Sequence, residues 1–120
     1  MSELGLGVVE AKFAEIIWQN EPIHSSQIVK MAEEKLSWKK STTYTVLKRL
    51  CEKGIFINNA GTVTSLISKE KFYAIQSEKF VEETFEGSLP AFIAAFASRK
   101  KLSPKEVEEL RKIVEEYEEK

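Results

Sequence analysis

Apolar residues recur along this chain with two different periods, and the places where the period changes mark its elements. Val9, Phe13, Ile16 and Ile17 follow at spacings of four, three and one, the repeat of one helix face, and predict a first helix from Val8 to Asn20. Asn20-Glu21-Pro22 ends it, because proline brings no amide hydrogen to the helical ladder. Pro22-Ile23-His24 reads as a short extended connector. Ser25 or Ser26 is placed to cap a second helix reaching about Lys35, with Ile28, Val29 and Ala32 turned inward. A third helix is expected from Lys40 to Lys53, stopped by Gly54. At about 100° per residue, Thr43, Val46, Leu47 and Leu50 gather in one quadrant of it. Ser41, Tyr44, Thr45, Lys48 and Arg49 then point elsewhere.

The period next shortens. Ile55-Phe56-Ile57 and Thr62-Val63-Thr64-Ser65-Leu66-Ile67 are β-prone runs around Asn58-Asn59-Ala60-Gly61, which predicts a hairpin. A hairpin directly after the third of three short helices is the wing of a winged helix-turn-helix. Helical spacing then returns over Lys69 to Phe85 (Phe72, Ile75, Phe80, Val81, Phe85), breaks at Gly87-Ser88, and resumes over Leu89 to Ser98 (Phe92, Ile93, Phe96). Ser103-Pro104-Lys105-Glu106 has the form of a capping box with proline at the first helical position. Behind it, Val107, Leu110, Val114 and Tyr117 form a narrow seam like that of a coiled coil. The fold class expected is mainly α with a small β-hairpin wing. A winged helix-turn-helix DNA-binding domain occupies residues 1–68, and a three-helix dimerisation domain residues 69–120.

Charge sharpens this picture. The whole chain of 120 residues carries a net charge of −1, which does not suggest a nucleic-acid partner. Between Lys35 and Lys53, however, stand six basic residues (Lys35, Lys39, Lys40, Lys48, Arg49, Lys53) against the single acid Glu52. Such a local concentration is the footprint of a nucleic-acid surface. No apolar run approaches the roughly 18 to 20 residues that cross a bilayer, and Met1 to Gly7 lacks the features of a signal peptide. A reducing, cytoplasmic setting without direct membrane association is expected. One cysteine, Cys51, and one histidine, His24, make neither a disulfide nor a protein zinc site, so no metal and no cofactor is expected. Cys51 reads as an inert, half-buried side chain and His24 as structural.

The DNA-reading face is expected on the outward side of the third helix. Ser41, Thr42, Tyr44 and Thr45 offer hydroxyl, methyl and ring surface to base edges and phosphates. Lys39, Lys40, Lys48 and Arg49 supply charge, mostly to phosphate. Arg49 has an alternative partner in an acid of the head, and Tyr44 an alternative packing site on the second helix. Trp38 reads as a packing anchor and Trp18 as core or dimer contact. The tail holds more large apolar groups than three short helices can bury alone, and each Phe or Leu left exposed forgoes roughly 1.5 to 3 kcal/mol. Phe80, Phe85, Phe92, Phe96, Leu110, Val114 and Tyr117 are therefore expected to meet a second copy, a symmetric homodimer being the commonest oligomer. The alternative is that the tail folds back on the head's own sheet. A dimer would present two heads to the half-sites of a palindrome in double-stranded operator DNA.

These residues also carry a resemblance. Glu15-Ile16-Ile17-Trp18, the stretch from Trp38 to Gly54, Phe85-Glu86-Gly87-Ser88-Leu89 and the stretch from Leu102 to Leu110 resemble the penicillinase-repressor family. The resemblance implies a homodimeric winged-helix repressor of resistance or metal-response operons, released by proteolysis under a membrane-bound sensor or by metal. The chain departs from that pattern in four places. Ser41 stands where the family has Lys or a similar residue, and Gly61-Thr62-Val63-Thr64-Ser65-Leu66 lacks the wing's Gly-Arg and following aromatics. Ala95-Phe96 replaces the Asn-Phe cleaved in β-lactam-responsive members. The ending Glu115 to Lys120 has none of the cysteines of the copper-responsive ones. The input signal is left open.

A different class of function is a winged-helix protein-interaction module with little DNA affinity, which the depleted wing favours. An enzyme finds no support in the sequence: it carries no nucleophile–base pair, glycine-rich phosphate loop or metal cluster.

Overall fold

The computed structural model describes residues 5–119. The first four residues and Lys120, which the domain limits 1–68 and 69–120 include, lie outside the described residues. Among the described residues the order of elements is α1 (Val8–Asn20), β1 (Ile23–His24), α2 (Ser25–Leu36), α3 (Lys40–Glu52), β2 (Phe56–Asn59), β3 (Thr62–Ser65), α4 (Lys69–Phe85), α5 (Leu89–Arg99) and α6 (Pro104–Glu118). This is a winged helix followed by a helical segment, the expected fold class. The three strands form an antiparallel sheet in the order β1-β3-β2. Ile23 pairs with Val63, and Phe56 with Ser65.

Packing divides the chain into two compact units, one up to Lys79 and the other from Phe80. The core of the first joins Phe13, Ala14 and Ile17 of α1, Ile28 and Ala32 of α2, Val46, Leu47 and Leu50 of α3, and Ile23, Phe56 and Val63 of the sheet. Ile55 and Phe72 complete it. Phe72 lies in the first turns of α4, which therefore belong structurally with the head. Trp38 leads into α3 and stacks obliquely on Phe13, with ring centroids 5.1 Å apart, the anchoring role its sequence position suggests.

Local details differ from the sequence reading in three ways. The connector before α2 is not free: Ile23-His24 forms the third strand, because Val63 and Thr62 of the wing offer it a pairing edge. The cap of α2 is neither Ser25 nor Ser26. His24 Nδ1 accepts the Ser26 amide at 3.1 Å, while the Ser25 amide is drawn to the Gly61 carbonyl at 2.7 Å. The wing turn is also tighter than Asn58 to Gly61. Pairing continues to Asn59–Thr62, so only Ala60 and Gly61 form the loop, with φ of 50° and 97°. Positive φ at both residues is what a two-residue hairpin with the right twist requires, and Asn58 Oδ1 accepts the Gly61 amide at 2.9 Å.

Candidate nucleic-acid interface

The third helix owes its orientation to its buried stripe. Thr43, Val46, Leu47 and Leu50 are buried, and Thr43 can be so because its hydroxyl donates to the Lys39 carbonyl at 3.2 Å, which satisfies the polar atom internally. At about 100° per residue the opposite side is centred on Ser41, Thr45 and Lys48. Thr42 and Arg49 occupy one flank, and Tyr44 the other. All six are exposed. The hydroxyls of Ser41 and Thr42 have no side-chain partner among the described residues. Thr45 Oγ1 donates to the Ser41 carbonyl at 2.9 Å, which leaves its lone pairs and methyl group turned outward. Tyr44 is partly engaged: its hydroxyl lies 3.5 Å from Ser25 Oγ at the start of α2, in line with the alternative of packing on that helix, while its ring stays 37% exposed.

The basic residues fall into two groups. Lys39, Lys40 and Lys48 are exposed and make no salt bridge among the described residues. Arg49 and Lys53 are committed. Arg49 Nη1 meets Glu10 Oε2 at 2.9 Å, and Lys53 Nζ donates to the Gly5 carbonyl at 3.3 Å. The acid-pairing alternative for Arg49 is thus the arrangement present. Burial pushes the Glu10 carboxyl upward, but the Arg49 hydrogen bond, the Gly7 amide and the charges of Lys53 and Arg49 outweigh it. The net effect holds Glu10 below the ordinary carboxylate value. Gly7 has no side chain to return a bond, so its amide and Glu10 Oε1, 3.3 Å apart, form half a capping box. On the far side of α3, burial raises the Cys51 thiol, which keeps it in the unreactive protonated form.

The wing contributes shape without charge. No Lys, Arg, Asp or Glu occurs from Gly54 to Ser68. Its base is held by Glu21, whose Oε1 accepts both the amide and the hydroxyl of Ser65 at 2.7 and 2.8 Å. Its tip is held by His24, which reaches the turn closely enough that a Cβ on Gly61 would lie 2.5 Å from Nε2. Sequence reasoning missed Glu10 and Glu21. Both act across long sequence separations, and only the Gly7–Glu10 spacing carried a local signal.

The second unit has a different character. No described residue from Phe80 onward is fully buried. Phe80, Phe85 and Phe92 form a triangle of rings with centroids 5.5 to 6.0 Å apart, which Phe96 extends through Phe92 at 6.4 Å. Between α5 and α6 lies an open groove of about 400 Å³ lined by Phe92, Ile93, Phe96, Leu102, Leu110 and Ile113. Phe80, Phe96, Ile113, Val114 and Tyr117 are 50, 47, 63, 57 and 81% exposed. Ile113, absent from the expected seam, lines the groove beside Leu110. Among the described residues no helix is long and apolar enough to cross a membrane, and no group of His, Cys, Asp or Glu is arranged to hold a metal ion.

Comparison with known proteins agrees with this architecture. The family model described as penicillinase repressor matches residues 6–116. The penicillinase repressor of Bacillus licheniformis is 27% identical over 112 residues, covering 90% of this chain and 88% of that protein. The methicillin resistance regulatory protein MecI of Staphylococcus aureus is 26% identical over 109 residues, covering 88% and 89%. Its counterpart in Mammaliicoccus sciuri is 25% identical over 103 residues, covering 82% and 84%. A match running through both the winged helix and the tail shows that the chain belongs to the penicillinase repressor family, a family of transcriptional repressors and not of enzymes.

Proposed function

We propose that this repressor acts in the cytoplasm as a homodimer that binds a palindromic operator in double-stranded DNA. In this reading residues 1–68 bind DNA and residues 69–120 dimerise. The observation that carries it is the outward face of α3, where the hydroxyls of Ser41, Thr42 and Thr45 stand beside Lys39, Lys40 and Lys48, none of which has an acid to pair with. Three unpaired lysines around a hydroxyl-rich helix surface fit a major groove: cations settle on phosphates and set the register, while short hydroxyl side chains reach base edges. The tail supports the dimer, since a segment with exposed phenylalanines and no fully buried residue gains most from a second copy. A dimer in turn doubles the DNA contacts and sets the half-site spacing.

The uncharged wing favours a second reading, an interaction module with weak DNA affinity. Fluorescence anisotropy separates the two, with a duplex from upstream of the protein's own gene, a scrambled duplex, and salt at roughly 50 and 200 mM. The repressor reading expects a preference of about a thousandfold or more for one duplex, together with a steep loss of affinity at higher salt. Weak, equal and salt-insensitive binding to both would overturn it in favour of the interaction module.

A further inference from the structure

The Arg49–Glu10 pair is the one place where a cation of the basic helix is taken out of use. Arg49 lies four residues after Thr45, about 40° around α3 from it, so its long side chain has the choice of turning toward the DNA-facing surface or away from it. It turns away. Nη1 donates to Glu10 Oε2 at 2.9 Å, although Arg49 keeps 52% of its side-chain surface exposed and Glu10 only 21%. Glu10 is itself steadied by the Gly7 amide on its other oxygen, and Lys53 holds the same N-terminal segment through the Gly5 carbonyl. The acid is thus fixed in place and the guanidinium comes to it.

An exposed ion pair adds little to stability, so its consequence lies in where the charge goes. A guanidinium is always protonated and forks readily onto phosphate. Released, it would add a contact that every DNA sequence offers equally. We propose that Glu10 stands in for a DNA phosphate: it holds Arg49 off the DNA and is a specificity-determining, positioning residue for operator recognition. The inference rests on the DNA-binding reading above and removes Arg49 from the set of phosphate contacts.

The test compares the wild type with Glu10→Gln, Arg49→Gln and the double variant. Each is titrated by anisotropy into a random-sequence duplex and the upstream duplex over roughly 50 to 200 mM salt. Circular dichroism first checks that each variant is folded. Glu10→Gln should tighten binding to the random duplex severalfold and steepen the log–log salt slope by about 0.9, the increment for one added phosphate contact. Discrimination between the duplexes should fall. Arg49→Gln should leave the slope at the wild-type value, and the double variant should match it. If Arg49→Gln by itself flattens the slope by about 0.9, Arg49 already sits on phosphate and the proposal is wrong. An unchanged slope in Glu10→Gln also overturns it. Wild-type protein with no salt-dependent binding to either duplex would instead bring down the DNA-binding reading, and this inference with it.

Discussion

The indole Nε1–H of Trp18 donates to the main-chain carbonyl of Ile67 at 3.1 Å, joining the end of α1 to the segment that leaves the wing. The same ring lies 5.4 Å from Phe56 and 5.6 Å from Phe72, so one side chain fastens the sheet and the first turns of α4 to α1. Lys69 adds an ion pair with Glu15 at 2.8 Å nearby.

Replacing Trp18 by Phe keeps a ring and removes the donor. The expected loss is about 1 kcal/mol, the net value of a hydrogen bond whose acceptor can still find water. Trp18→Ala should cost about 3 kcal/mol, the low end for an aromatic truncation, because Trp18 is only partly buried. Urea unfolding of the two variants checks both figures. If Trp18→Phe is as stable as wild type, the bond to Ile67 contributes nothing and ring packing alone holds the wing exit.

How far the sequence discloses this molecule depends on the range of the interaction. Phe13, Ile17, Val46, Leu47 and Leu50 announce themselves by helical spacing, since burial of one face repeats with the helix itself. Gly61 and the capping box at Ser103–Glu106 are legible for the same reason: their geometry is decided within four residues. The pairing of Ile23-His24 with the wing is not, because two residues carry no period. Nor are Arg49–Glu10 and Glu21–Ser65, at separations of 39 and 44 positions, where nothing local distinguishes a paired charge from a free one. The reading face of α3 follows from its buried stripe, yet which of its cations remain free is decided by tertiary contacts.

Gly61 should not tolerate a side chain. Its φ of 97° is strained for any L-residue with a Cβ, and that Cβ would lie 2.5 Å from His24 Nε2. Gly61→Ala is expected to destabilise the head by about 1 to 3 kcal/mol, combining backbone strain with loss of the α2 cap. In a His24→Ala background the clash is gone and only the backbone part should remain. Thermal unfolding of the four proteins in this cycle tests it, and equal penalties in both backgrounds would show that His24 does not oppose the substitution.

On α3, replacing Thr45 by Ala should reduce the preference for operator over random DNA by about 1 to 3 kcal/mol, the value of a base contact. Tyr44→Ala is expected to act in the same direction. Lys40→Ala and Lys48→Ala should instead weaken binding to both duplexes equally, each lowering the salt slope by about 0.9. Anisotropy across the salt range measures all four. Uniform losses throughout would refute the division between hydroxyls that read and lysines that position.

In the tail, a carboxylate placed in the groove between α5 and α6 should prevent association. Phe96→Asp and Leu110→Asp each put a charge where a partner would bury apolar surface, and an unpaired buried charge is not tolerated. Sedimentation should show the wild type as a dimer and both variants as monomers, with operator affinity lowered because the heads then bind singly. If both variants still sediment as dimers, the interface lies elsewhere.

The start of α6 supplies a pH dependence. Glu106 Oε1 accepts the Ser103 amide at 3.0 Å while Ser103 Oγ accepts the Glu106 amide at 3.1 Å. The backbone bond from Ser103, then its side chain, hold the Glu106 carboxyl below the usual range, with Lys100 assisting and a small opposing effect of burial. A carboxyl depressed in the folded state favours folding fully above its unfolded value of about 4.3. That contribution disappears as pH falls through the lower, folded value. The first turn of α6 should therefore be insensitive to pH between about 7 and 5 and loosen only in stronger acid. A carbon-13 NMR titration of Glu106 should show a midpoint below about 4.3. Ser103→Ala should raise it part of the way, since the amide donor at position 103 survives the substitution. A midpoint that stays put in Ser103→Ala would mean the serine hydroxyl has no share in the cap.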